Sequence, residues 1–202
     1  MTRLSVCIPS FPQRSGTTLP RLIDALNAQM VDDDAELICM IDNERYSIGE
    51  KLNIMYGLAH GEFVSVVADD DMVSDDYVAQ LLDAIDRVPD ATVICFDCAY
   101  YVDGEPAGTI KESHLYDEKH THGIMYRKPS DKMCWNREFM LANPHMDNWQ
   151  TSDREFAMRV CDKIEIEARV DEILYYFYYD GNNPKGKRYR EMLDKKYHKR
   201  TA

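Results

Sequence analysis

Nowhere in its 202 residues does the chain contain a run of roughly 18 apolar residues, so no helix able to cross a bilayer is expected. Residues 1–10 run straight into a strand pattern with no cleavage site, so no secretory signal is expected there. A soluble, cytoplasmic protein is the expectation. Basic residues are in deficit: 24 Lys and Arg face 36 Asp and Glu, a formal net charge of -12, which disfavours nonspecific attraction to nucleic acid or anionic membrane. A cysteine pair with metal-site geometry is also lacking. Cys95 and Cys98 have a suggestive spacing, but residues three apart on a strand point to opposite faces and cannot share an ion. Cys7, Cys39 and Cys95 fall in apolar strand runs and read as reduced, packed thiols.

What is present is organised around residues 61–76. An apolar run at 63–68 reads as a buried parallel strand, and it ends in three consecutive carboxylates, Asp69, Asp70 and Asp71. Adjacent carboxylates repel, and a divalent cation is the simplest way to neutralise such a cluster. Oxygen ligands suit Mg2+ or Mn2+, which keep open positions for phosphate oxygens. The alternative is a solvated acidic turn that caps the next helix.

Around this stretch, strands and helices alternate. Residues 4–9 form a strand closed by Pro9-Ser10-Phe11-Pro12, and a helix follows with Leu19, Leu22, Ile23, Leu26 and Met30 on its apolar face. A second strand at 36–41 ends in Asp42-Asn43; a helix at 48–60 turns Leu52, Met55, Leu58 and Ala59 inward. Another helix, from about 74 to 88, leads to a strand at 92–101 and the hairpin signal Asp103-Gly104. This alternation implies an α/β fold, a mostly parallel sheet with helices on both faces and ligands beyond the carboxyl ends of its strands. Residues 104–135 read as a loop or hairpin region with one strand near 123–126, and His114, His120 and His122 as solvated loop residues. A short helix is expected at 136–141. A clearer one opens at Ser152, where Glu155 completes a capping-box pattern and Phe156, Val160 and Ile164 supply the stripe. A last strand at 173–179 carries five aromatics. Residues 1–182 read as a single domain, with 1–103 and 104–182 as its halves. The tail at 183–202 is separate: within 185–200, eight basic residues face Glu191 and Asp194, and docking on the acidic body is the preferred reading.

Four features together carry a resemblance. They are the opening Ser5-Val6-Cys7-Ile8-Pro9-Ser10; the strand ending at Asp42; Ile48-Gly49-Glu50-Lys51-Leu52-Asn53 followed by Ala59-His60-Gly61-Glu62-Phe63-Val64; and the acidic triplet. The chain resembles the GT-A fold glycosyltransferases of the family 2 type, in particular the short soluble members often encoded by bacteriophages.

The resemblance implies roles. Pro9 and Ser10 would shape a nucleotide pocket, Asp42 would accept a hydrogen bond from a uridine-type base, and Lys51 and Asn53 would lie near ribose and phosphates. The commonest Asp-Ala-Asp-Asp form is altered here, since Ala68 takes its first position. Asp69 would then contact the ribose, and Asp70, helped by Asp71, would hold the metal. Asp153 falls on the family's catalytic acid and would serve as base in an inverting transfer, although an acid in a helix's first turn also needs no catalytic role. Trp135 and Trp149 would stack on an acceptor or close the core. Lys132, Arg137 and Arg154 are candidate phosphate partners. The expected reaction moves a sugar from a nucleotide-diphosphate donor, with Mn2+ or Mg2+, to a hydroxyl of a glycan or of a hydroxymethylated pyrimidine in phage DNA. A nucleotidyltransferase and a non-catalytic sugar- or nucleotide-binding module are the alternatives. The first would release pyrophosphate and normally carries a Gly-rich phosphate loop, which 9–12 lacks.

Overall fold

β1 (Leu4–Ser10) is buried along its whole length because it pairs on both sides. It runs parallel to β2 (Ala35–Ile41) at the sheet edge and to β3 (Phe63–Val66) on its inner side. The computed structural model describes residues 2–30, 32–146, 152–182 and 187, so most of the basic tail and Trp149 lie outside the described residues. α1 (Thr18–Asn27) connects β1 to β2 and buries Leu19, Leu22 and Leu26. α2 (Ile48–Leu58) connects β2 to β3; Leu58, expected inward, is exposed at its C-terminal end. The two-residue strand β4 (Met72–Val73) and the helix α3 (Tyr77–Arg87) follow.

β5 (Val93–Val102) then turns through Asp103 and Gly104, both with positive φ (51° and 83°), into β6 (Glu105–Glu112), as the Asp-Gly pair implies. The region after that turn holds more strand than expected. The strand expected near 123–126 is β8 (Ile124–Arg127), and beside it the loop or hairpin region holds β6, β7 (Lys119–Thr121) and β9 (Cys134–Asn136). β9 lies antiparallel between β3 and β5 and so joins the two halves of the sheet. α4 (Arg137–Ala142) and α5 (Ser152–Val160) precede β10 (Glu167–Tyr179), which pairs parallel with β5 and antiparallel with β4.

The result is a single α/β domain on a mixed, mostly parallel ten-stranded sheet, with the path β2-β1-β3-β9-β5-β6-β8-β7 and β10 alongside β5. β10 alternates in the way a half-buried strand should. Tyr175 and Phe177 are buried, while Tyr176 and Tyr178 face outward, Tyr178 being exposed. Among the described residues no helix is long and apolar enough to cross a membrane.

Candidate active site

The three parallel strands β2, β1 and β3 end on the same side, and their ends bring Asp42, Ser10 and the acidic triplet together. One residue past β3, the Val67 amide still donates to Cys7 O (3.0 Å). The chain then turns, with Asp71 N donating to Ala68 O (3.1 Å). The three carboxylates diverge from this turn. Asp69 points inward, 2% exposed, and accepts the Ser10 hydroxyl at 2.7 Å. Asp71 also points inward: one oxygen accepts the Tyr175 hydroxyl (2.8 Å), the other the Tyr178 amide (3.0 Å). Burial, and then the neighbouring Asp70 charge, push the Asp71 carboxyl up to about 7. Only Asp70 reaches outward, its side chain 42% exposed.

Arg14 meets this cluster from the 3-10 turn Pro12–Arg14. Its guanidinium pairs with Asp69 Oδ1 and, at 2.9 Å, with Asp70 Oδ2. Arg14 also lines an open cleft of about 470 Å³ together with Phe11, Gln13 and Glu44. Asp70 lines a second cleft of about 180 Å³ with Thr18, Arg21, Asp71, Met72 and Tyr178. The Arg14–Asp70 pair thus links the two clefts.

Asp42, just past β2, is anchored from below. One carboxylate oxygen accepts the amides of Arg45 (2.7 Å) and Tyr46 (2.9 Å), and the other pairs with Lys51 Nζ. Desolvation works against the Asp42 charge, but the Lys51 ammonium and these amides outweigh it and hold the carboxyl below the usual range. Lys51 is fully buried. Its Nζ donates to Ser10 O (2.7 Å) and lies 3.7 Å from the centre of the Phe11 ring. It therefore ties the β1 and β2 loops together from inside, and does not reach the clefts.

Asn53 is committed elsewhere. Its amide donates to His145 O and its oxygen accepts His145 N, both at 2.9 Å, which fixes the loop at 143–146 against α2. His145 stacks on Phe156 of α5 (4.5 Å), and Arg159 of α5 donates to Pro144 O (2.7 Å). Asp153 stands in the first turn of α5, where Oδ1 accepts Arg154 N at 2.8 Å. Trp135 is fully buried, donates to Ser130 O (2.9 Å) and stacks on Phe139. Its indole closes the core and offers no face to a sugar. Lys132 pairs with Asp131, Arg137 with Glu138 and Arg154 with Glu118, so each of these cations already has a carboxylate partner.

Sequence reasoning missed Arg14, Phe11 and the tyrosines that hold Asp71. The signal for Arg14 was faint: a lone basic residue two positions after Pro12 in the loop that faces the triplet.

Among the described residues, no three His, Cys, Asp or Glu side chains converge as a metal cage. Asp70 fits a different arrangement, in which one carboxylate holds a hard ion and phosphate oxygens supply the remaining ligands.

No family model and no curated protein matches the chain. Its structure does match solved ones. S. aureus TarS 1-349 aligns at TM-score 0.64 and 15% identity over 88% of this chain and 60% of that one. The same protein in complex with UDP-GlcNAc aligns at 0.62 and 12%, over 96% and 66%. The mannosyltransferase PcManGT from Pyrobaculum calidifontis, in complex with GDP-Man and Mn2+, aligns at 0.59 and 14%, over 93% and 59%. The chain therefore spans about 60% of the TarS 1-349 and PcManGT chains. At these identities the likeness establishes the fold, which is GT-A glycosyltransferase-like.

Proposed function

We propose that this chain is a metal-dependent glycosyltransferase that takes a sugar from a nucleoside diphosphate sugar and passes it to an acceptor hydroxyl. The observation that carries this is the divergence of the triplet at the shared strand ends. Asp69 is fixed to Ser10 and Asp71 to Tyr175 and Tyr178, while Asp70, the most exposed of the three, stands where its pair with Arg14 links the two clefts. The larger cleft has the size of a small-ligand site. The donor nucleotides of the matched structures, UDP-GlcNAc and GDP-Man, and the Mn2+ of one of them point to the same chemistry.

On this reading Asp42, rigid on Lys51 and two backbone amides, accepts from the base, and a uridine-type nucleotide is the first choice. Pro9 and Ser10 shape the floor beneath it, and Asp69 accepts from the ribose. Asp70 would hold Mg2+ or Mn2+, which when bound stabilises the charge of the leaving diphosphate. Asp71 stabilises the turn through Tyr175 and Tyr178. Asp153 takes the proton from the acceptor hydroxyl as it attacks from the face opposite the leaving group, so the transfer inverts. The acceptor is a glycan or a hydroxymethylated pyrimidine, the latter requiring a flipped base.

The test is thermal stability with UDP, UDP-GlcNAc, GDP and GDP-Man, each with and without Mn2+. A donor at a hundred times its dissociation constant should stabilise the fold by about 2.7 kcal/mol. A Mn2+-dependent shift with one nucleotide series is expected, and Asp70→Ala should remove it. No shift with any nucleotide would overturn the reading and leave a sugar-binding module without donor chemistry.

A further inference from the structure

Arg14 is the charged group beside the triplet that neither the proposed metal nor the proposed base requires. Among the described residues, Asp69 and Asp70 share it as their ion-pair partner. Of the other cations near the strand ends, Lys51 is committed to Asp42 and Ser10 O, and Arg21 lines the smaller cleft with Asp70 without an ion pair to the triplet in the structure. Arg14 thus offsets one of the two negative charges that would otherwise be available to an ion. A bare divalent cation would meet one exposed carboxylate already paired, a positive charge beside it and, among the described residues, no cage of three donors.

We propose that Arg14 is the counter-cation of this site in the free protein, and that the donor's diphosphate draws it off the carboxylates, so that metal and nucleotide bind as a coupled pair. The inference rests on the donor reading above and adds to it a gate and a diphosphate ligand. Three observations support the exchange. The turn that carries Arg14 buries none of its residues, so moving it uncovers no core. The side chain is 40% exposed and lines the larger cleft. A guanidinium donates to phosphate oxygens as readily as to the carboxylate oxygens that Nη1 meets here, so its charge is passed from one anion to another and is never left unpaired. A diphosphate also brings the oxygen ligands that Asp70 alone cannot supply to a hard ion.

The test measures Mn2+ binding by electron paramagnetic resonance, with Mn2+ alone and with UDP or GDP added, and separately measures binding of each nucleotide. In the wild type, Mn2+ alone should bind weakly and the cognate nucleotide should tighten it by about tenfold or more, within the usual range of coupling between sites. Arg14→Gln should bind Mn2+ alone about tenfold more tightly, bind the nucleotide about tenfold more weakly, and lose most of the coupling. Arg14→Lys, which keeps the charge but not the fork, should keep the weak binding of Mn2+ alone. Adding Asp70→Asn to Arg14→Gln should abolish the gain. If Arg14→Gln binds Mn2+ no more tightly than the wild type, or nucleotide no more weakly, the exchange is wrong while the donor reading stands. A wild type that binds neither nucleotide with Mn2+ overturns the donor reading, and this inference with it.

Discussion

Lys51 is a residue whose charge is expensive to lose. It is fully buried, and the Asp42 carboxylate it serves is 11% exposed at the side chain. Lys51→Met keeps the apolar stem and removes the ammonium, which leaves a nearly buried carboxylate without its counter-ion. The expected cost is about 3 kcal/mol, read as a lower urea midpoint at unchanged slope. Lys51→Met combined with Asp42→Asn should lose less than Lys51→Met alone, since the stranded charge is then gone. His145 gives a pH signature. Burial holds its imidazole below the ordinary value; Asp131 opposes this, and Lys132 and Arg159 reinforce it. Because the unfolded value, about 6.5, lies above the folded one, the neutral ring's contribution is present above that pH. It is lost as pH falls through 6.5 towards the folded value. The stability gap between wild type and His145→Gln should therefore shrink from pH 7 to pH 5, and a constant gap would show that the ring does not titrate as described. At this scale the strand-end positions of Ser10, Asp42 and Asp69 were legible, because polar residues that end apolar runs have a fixed address there. The inward turn of Lys51 and the commitment of Asn53 to His145 were not, because residue type does not say which way a side chain on a helix is turned; for Trp135, closing the core was one of its two readings.

Among the elements, α2 does most to join the donor side to α5. Ser47 caps it through Glu50 N, Glu50 returns the bond to Ser47 N, and Asn53 fixes the 143–146 loop. Gly49 allows that loop its position. A Cβ there would lie 2.2 Å from Met146 O, a backbone atom that cannot turn aside. Gly57, on the same helix, has nothing within 4 Å of its Cβ position. Gly49→Ala should therefore cost about 1–3 kcal/mol as the loop is forced away, whereas Gly57→Ala should stabilise by roughly 0.5–1 kcal/mol through helix propensity. Melting curves of the two variants, moving in opposite directions, would check this; movement in the same direction would show that the close approach does not matter. The repeating strand–helix units of the first hundred residues were legible because each strand is a continuous apolar run in the sequence, even β2, which lies at the sheet edge and is only partly buried. β8 is the strand expected near 123–126, but β6 and β7 were not legible. β6 contains Pro106 and Gly108, and β7 is three exposed residues, so neither shows a hydrophobic period. The pairing of β6 with β5 follows from the Asp103-Gly104 turn, which was legible.

Across the whole molecule, the strand ends of β1, β2 and β3, proposed above to bind the donor, are joined to α5 through Asn53, His145, Phe156 and Arg159. Two explanations of Asp153 separate at this scale. As an acid in the first turn of α5, it interacts with the helix dipole, worth about 0.3–1 kcal/mol of stability and nothing in turnover. As the base of the reaction, it leaves donor binding untouched and is needed only when a hydroxyl, or water in its place, attacks. Asp153→Asn keeps the shape and removes the basicity. We expect it to retain the full nucleotide- and Mn2+-dependent thermal shift while its release of nucleoside diphosphate from the donor sugar falls by about 10²–10⁴-fold. Release can be followed without knowing the acceptor, because water suffices as a slow one. Turnover unchanged beside a small loss of stability would make Asp153 a helix-terminal acid and move the search for the base elsewhere. A loss of the thermal shift itself would show that Asp153 belongs to donor binding, and that α5 is coupled to the strand ends through the 143–146 loop.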